Sequence, residues 1–66
     1  MKNNLRVLRA IANISQGDLA QKIGVSRQTI NAMESGKYVP STVLALKLAR
    51  FFEKNVIEIF QLEDSD

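Results

Sequence analysis

Neither cysteine nor histidine occurs among the 66 residues. No disulfide framework or thiolate metal site is therefore available. The commonest general base, the usual zinc ligand and every Ser-His or Cys-His nucleophile arrangement are excluded as well. The carboxylates are scattered, and no glycine-rich loop is present to cradle a phosphate. An enzyme is not expected, and neither is a cofactor or a metal. Long apolar runs are also missing: none approaches the roughly 20 residues of a membrane span. Met1-Lys2-Asn3-Asn4 leads into an amphipathic helix rather than an apolar signal region. No membrane association is expected, and the expected location is cytoplasmic.

What is present is 45% apolar, which excludes a disordered chain on compositional grounds. The length has room for a single domain spanning residues 1–66, with no separate small-molecule effector domain. A domain of this size buries only about 60% of its unfolded surface, so association would stabilise it. The formal charge of +2 is unevenly spread. Lys2, Arg6, Arg9, Lys22, Arg27 and Lys37 stand against only Asp18 and Glu34 in the front of the chain, whereas Glu53, Glu58, Glu63, Asp64 and Asp66 face Lys54 alone at the back. A basic front orients a molecule toward a phosphate backbone, although basic residues on small domains often serve solubility alone.

The most informative stretch runs from Ser15 to Gly36 and predicts two short helices joined by a tight turn. Ser15 is a suitable cap, and Asp18 three residues on completes a capping box. Gly24 supplies the left-handed residue that stops this helix, Val25 turns inward, and Ser26 caps the next helix two residues later. So short a turn implies a steep crossing angle. The following helix buries Ile30 and Met33, leaving Arg27, Gln28, Thr29, Asn31 and Ala32 on other faces. Arg, Gln and Asn match the donor and acceptor pairs of guanine and adenine edges, and Thr or Ala can touch a thymine methyl. A merely solvated face would more usually carry Glu and Lys at i, i+4, a pattern absent from Arg27 to Ala32.

Five helices in all are expected, making an all-α fold. Asn4 is expected to cap the first, which ends near Asn13, and Ser41 the fourth. Between them, Lys37-Tyr38-Val39-Pro40 reads as a loop, because Pro40 biases Val39 toward an extended conformation. Asn55 is expected to cap a short fifth helix containing Val56, Ile59 and Phe60. The expected core is Leu5, Leu8, Ile14, Leu19, Ala20, Ile23, Val25, Ile30, Met33, Ala45, Leu46, Ala49, Phe52, Val56, Ile59 and Phe60. The fourth helix carries more apolar residues than one stripe requires. Leu44, Leu48 and Phe51 form a line distinct from Ala45, Ala49 and Phe52, and Ile57 extends it. A second copy of the chain is the expected cover for this line, making a homodimer that reads a palindromic site. The alternative is that the domain wraps these residues itself.

Ser15-Gln16, Leu19-Ala20, Gly24-Val25-Ser26, Ile30, Glu34, Gly36-Lys37, Pro40-Ser41 and Ala45-Leu46-Lys47-Leu48-Ala49 occur in one register. In this the chain resembles the phage-repressor (Cro/C1, XRE-type) helix-turn-helix family over nearly its whole length. Ser26-Arg27-Gln28-Thr29-Ile30-Asn31 is similar to the small dimeric cytolysin-repressor type of bacterial regulator. The resemblance implies base contacts from Gln28 and Asn31, with Arg27 reading a base or a neighbouring phosphate. It implies phosphate contacts from Gln16, Ser26, Lys37 and Tyr38, and an ion pair between Arg9 and Glu34. It also implies a two-stranded ribbon between Met1–Asn3 and Gln61–Glu63, where the sequence by itself reads as frayed ends.

The function expected is a sequence-specific regulator, most simply a repressor, that occupies a double-stranded DNA operator. The competing reading is a small protein-interaction module working through the apolar fourth helix. Such a module has no reason to gather Arg27, Gln28, Thr29 and Asn31 at the start of one helix.

Overall fold

Each helix begins and ends on local chemistry. In the computed structural model, which describes Met1–Asp66, the chain runs β1 (Lys2–Asn3), α1 (Leu5–Ala12), α2 (Gln16–Ile23), α3 (Arg27–Glu34), α4 (Thr42–Phe52), α5 (Val56–Ile59) and β2 (Phe60–Gln61). The hydroxyls of Ser15, Ser26 and Ser41 accept from the backbone N–H of Asp18, Thr29 and Leu44 at 3.0, 3.1 and 3.1 Å, capping α2, α3 and α4. Gly24 closes α2 at φ 89°, its N–H donating to Ala20 O at 2.8 Å. Two non-glycine residues take the same left-handed conformation: Asn13 after α1 and Glu53 after α4, at φ 57° and 55°. Asn13 was expected from the sequence and Glu53 was not.

Asn4 does not cap α1 through its side chain. Its neighbour does the work instead: Asn3 Oδ1 accepts from Leu5 N at 3.1 Å, while Asn3 Nδ2 donates to Met33 O at 2.8 Å, tying the amino-terminal strand to the end of α3. At Asn55 the first turn of α5 is closed by Glu58, whose Oε1 accepts from Asn55 N at 3.0 Å.

The terminal ribbon exists but is shorter and shifted from the expected pairing. It is antiparallel, with Lys2 opposite Gln61 and Asn3 opposite Phe60. Phe60 leaves the fifth helix for an extended conformation, φ −117° and ψ 130°, and buries its ring at the ribbon's edge.

The core comprises Leu5, Leu8, Leu19, Ala20, Ile23, Ile30, Met33, Leu44, Leu48, Ala49, Ile59 and Phe60, with Met1, Ile14, Val25, Ala45, Phe52 and Val56 packed at its rim. Two expectations for α4 are corrected. Leu44 and Leu48, expected on an intersubunit face, are 6% and 0% exposed inside the domain, and Leu46, expected inside, is 56% exposed. At about 100° per residue, Leu44, Leu48, Phe52, Ala45 and Ala49 occupy one continuous stripe about 140° wide. The two apolar lines are adjacent rows of that stripe, and Leu46 lies outside it.

Candidate nucleic-acid interface

Ile30 and Met33 are fully buried and fix which side of α3 faces the protein. Arg27, Gln28 and Asn31 are consequently exposed, and Thr29 and Ala32 lie half-buried on the flanks. Thr29 Oγ1 shares a hydrogen bond of 2.9 Å with Ser26 Oγ, so both hydroxyls are held at the amino-terminal end of the helix. Gln16, at the start of α2, meets the same end. Gln16, Ser26, Arg27, Gln28 and Asn31 together line an open depression without a single apolar side chain. A second polar depression, lined by Arg9, Ser15, Gln16, Gly17 and Arg27, adjoins it through Gln16 and Arg27. In the first turn of α2 the N–H groups of Gln16 and Gly17 have no intrahelical acceptor, whereas that of Asp18 is taken by Ser15 Oγ.

Lys37 and Tyr38 follow the other end of α3 and are exposed. Eight helical residues separate the two ends by about 12 Å. The structure does not bring Lys37 and Tyr38 into either depression; the backbone N–H of Lys37 donates to Ala32 O at 2.9 Å and so fixes where they leave the helix.

Behind the exposed residues lies a charged link between α1 and α3. Arg9 Nε donates to Glu34 Oε2 at 2.7 Å and Arg9 Nη2 to Glu34 Oε1 at 3.0 Å, a two-pronged contact in which the Glu34 side chain is 1% exposed. Arg9 Nη1 also donates to Ile14 O at 3.1 Å, anchoring the turn into α2. Gln16 Nε2 donates to Glu34 Oε1 at 3.0 Å, and Asn31 Nδ2 donates to Gln16 Oε1 at 3.4 Å. Burial by itself would raise the Glu34 carboxyl. The hydrogen bonds from Arg9 and Gln16, with the charges of Arg9 and Arg6, outweigh it and hold the group below its ordinary value.

Sequence reasoning missed Arg6, whose Nε lies 3.8 Å from Glu34 Oε1. Its i, i+3 spacing from Arg9 was a usable signal. It missed Asn3 as well, because a bond from the amino terminus to Met33 leaves no local pattern.

Two short capped helices around a glycine turn, the second buried on one side and open and polar on the other, define a helix-turn-helix DNA-binding domain. The family described as HTH_3: Helix-turn-helix matches residues 5–59, and the chain belongs to that family, which is XRE-like. It is 54% identical to an uncharacterized HTH-type transcriptional regulator of Methanocaldococcus jannaschii over 66 residues, 100% of both chains. A regulator of the same description, YgzD of Bacillus subtilis, is 44% identical over 66 residues, again 100% of both. One from Archaeoglobus fulgidus is 41% identical, covering 100% of this chain and 94% of its own. The protein is a DNA-binding regulator and not an enzyme.

Proposed function

We propose that the protein represses transcription by occupying a palindromic operator as a homodimer, with α3 of each copy in the major groove of one half-site. The observation that carries this reading is the uncovered polar depression on the side of α3 opposite Ile30 and Met33. Arg27, Gln28 and Asn31 read base edges, and Thr29 and Ala32 meet thymine methyl groups at the flanks. Gln16 and Ser26 at one end, and Lys37 and Tyr38 at the other, hold phosphates on either side of the helix. Archaeal and bacterial relatives favour a prokaryotic cytoplasm as the setting, and no helix is long and apolar enough to cross a membrane.

Pairing is supported by apolar side chains that the domain leaves in water. Of the seam expected from the sequence, Ile57 and Phe51 remain outside at 78% and 37% exposure. Val43 and Leu46 on the outer side of α4 take the place of Leu44 and Leu48. Selection of duplexes from a randomised pool tests the proposal. The expected result is a two-fold symmetric sequence whose half-sites lie about one helical turn, 34 to 36 Å, apart. Recovery of an asymmetric sequence would overturn the paired arrangement, and recovery of no preferred sequence would overturn base reading.

A further inference from the structure

The chain of bonds from Glu34 to Asn31 has a direction. An ionised carboxylate has no proton to donate, so both oxygens of Glu34 can only accept. Gln16 must therefore turn Nε2 toward Glu34, at 3.0 Å, which leaves its Oε1 pointing at α3. That oxygen can only accept in its turn, and it takes one Nδ2 hydrogen of Asn31 at 3.4 Å. Arg9 completes the other end by clamping Glu34 at 2.7 and 3.0 Å, so the carboxylate cannot swing away. The polarity of an exposed amide on α3 is thus dictated by a carboxylate that is itself 1% exposed.

We propose that Glu34, acting through Gln16, is a positioning residue for specificity: it fixes the Asn31 amide so that Oδ1 and the second N–H form the free edge. That edge offers one acceptor beside one donor, the complement of adenine N6 and N7. The inference rests on the operator-reading function above and adds to it the base preferred and the residues that set it. Gln16 then has two roles, facing phosphate from the start of α2 and holding Asn31. These roles are separable, because a phosphate contact acts on every DNA sequence alike whereas the amide link acts at one base pair.

The test is equilibrium binding of the full chain to its selected operator and to every single-base variant of it, with urea midpoints measured alongside. Asn31→Ala first defines the position that Asn31 reads, expected to be an adenine. Gln16→Met, which keeps length and removes the amide, is expected to lower discrimination at that position roughly 3- to 10-fold, the worth of one lost hydrogen bond. Preferences at other positions stay as they were, and the urea midpoint falls modestly with the fold retained, because Glu34 loses one hydrogen bond but keeps both from Arg9. Glu34→Gln, which lets the neighbouring amide turn over, is expected to relax the same position. Gln16→Met carries the test if Glu34→Gln fails to fold. The inference is overturned if Gln16→Met weakens all sequences equally with the adenine preference intact, or if Asn31→Ala leaves every preference unchanged. Loss of all sequence preference in the unmutated chain would instead remove the operator-reading function on which the inference rests.

Discussion

Glu34 joins the stability of the domain to the surface it presents. Removing the carboxylate leaves Arg9 Nε and Nη2 without an acceptor, and only Nη1 stays bonded, to Ile14 O. Glu34→Ala is expected to cost about 2 to 3 kcal/mol, less than a fully buried pair because Arg9 keeps 17% exposure. A urea midpoint equal to that of the parent would contradict this. Acidity reports on the same contact. The folded carboxyl titrates below its ordinary value near 4.5, so its contribution is complete at neutral pH. It is lost as pH falls from about 4.5 through the lower folded value, and stability therefore rises with pH across that window. Glu34→Gln is expected to flatten that part of the profile, which denaturation at a series of acidic pH values would detect.

Lys37 belongs at the same scale with a different expectation. As an exposed cation just past α3, Lys37 is expected to position the bound helix on phosphate without reading sequence. Lys37→Ala is expected to weaken binding to all duplexes about equally and to reduce the slope of log K against log salt by about one charge. A loss confined to the operator would make Lys37 a base reader.

At the scale of elements, the turn between α2 and α3 sets the crossing that exposes the polar depression. Gly24 adopts φ 89°, and a Cβ added there would meet no atom within 4 Å. The whole penalty of Gly24→Ala is therefore conformational, about 1 kcal/mol, read as a lowered urea midpoint with the fold retained. A loss of several kcal/mol would mean that the turn has to move.

The helix boundaries were legible in the sequence because caps are local: Ser15, Ser26 and Ser41 each act on an N–H three residues away. What was not local was read less well. Glu53 closes α4 in a conformation that the sequence gives no reason to assign to a glutamate. The Asn3 side chain displaces Asn4 as the partner of α1's first turn because the ribbon holds it there. On α4, one wide stripe was divided into two faces, since spacing reveals which residues align but not how broad a face the neighbouring helices cover. The candidate interface followed the same division. Exposure of Arg27, Gln28 and Asn31 followed from the buried pair Ile30 and Met33, whereas the bonds from Gln16 to Glu34 and Asn31 join residues 18 and 15 positions apart and left no sequence pattern.

For the whole molecule, the proposed palindromic operator calls for two copies. Half-sites of a symmetric operator lie about 34 to 36 Å apart, and each copy carries a single α3. The apolar residues that remain outside suggest how the copies meet. Ile57→Glu changes a side chain that is 78% exposed and is expected to leave a folded monomer with weakened operator binding. Leu48→Glu is expected to unfold the domain instead, since Leu48 is fully buried. Sedimentation at micromolar concentration separates these outcomes, and an Ile57→Glu chain that still sediments as a dimer would place the seam elsewhere.

The central claim is that α3 reads bases with the side chains that Ile30 and Met33 force outward. Gln28→Ala tests it most directly, because Gln28 is exposed, lines the polar depression and has no partner holding it within the protein. Binding of this variant to all single-base variants of the selected operator should show discrimination lost at one position in each half-site, by about 1 to 3 kcal/mol, with the other positions unchanged. Unchanged affinity and unchanged preference at every position would show that α3 does not lie in the groove.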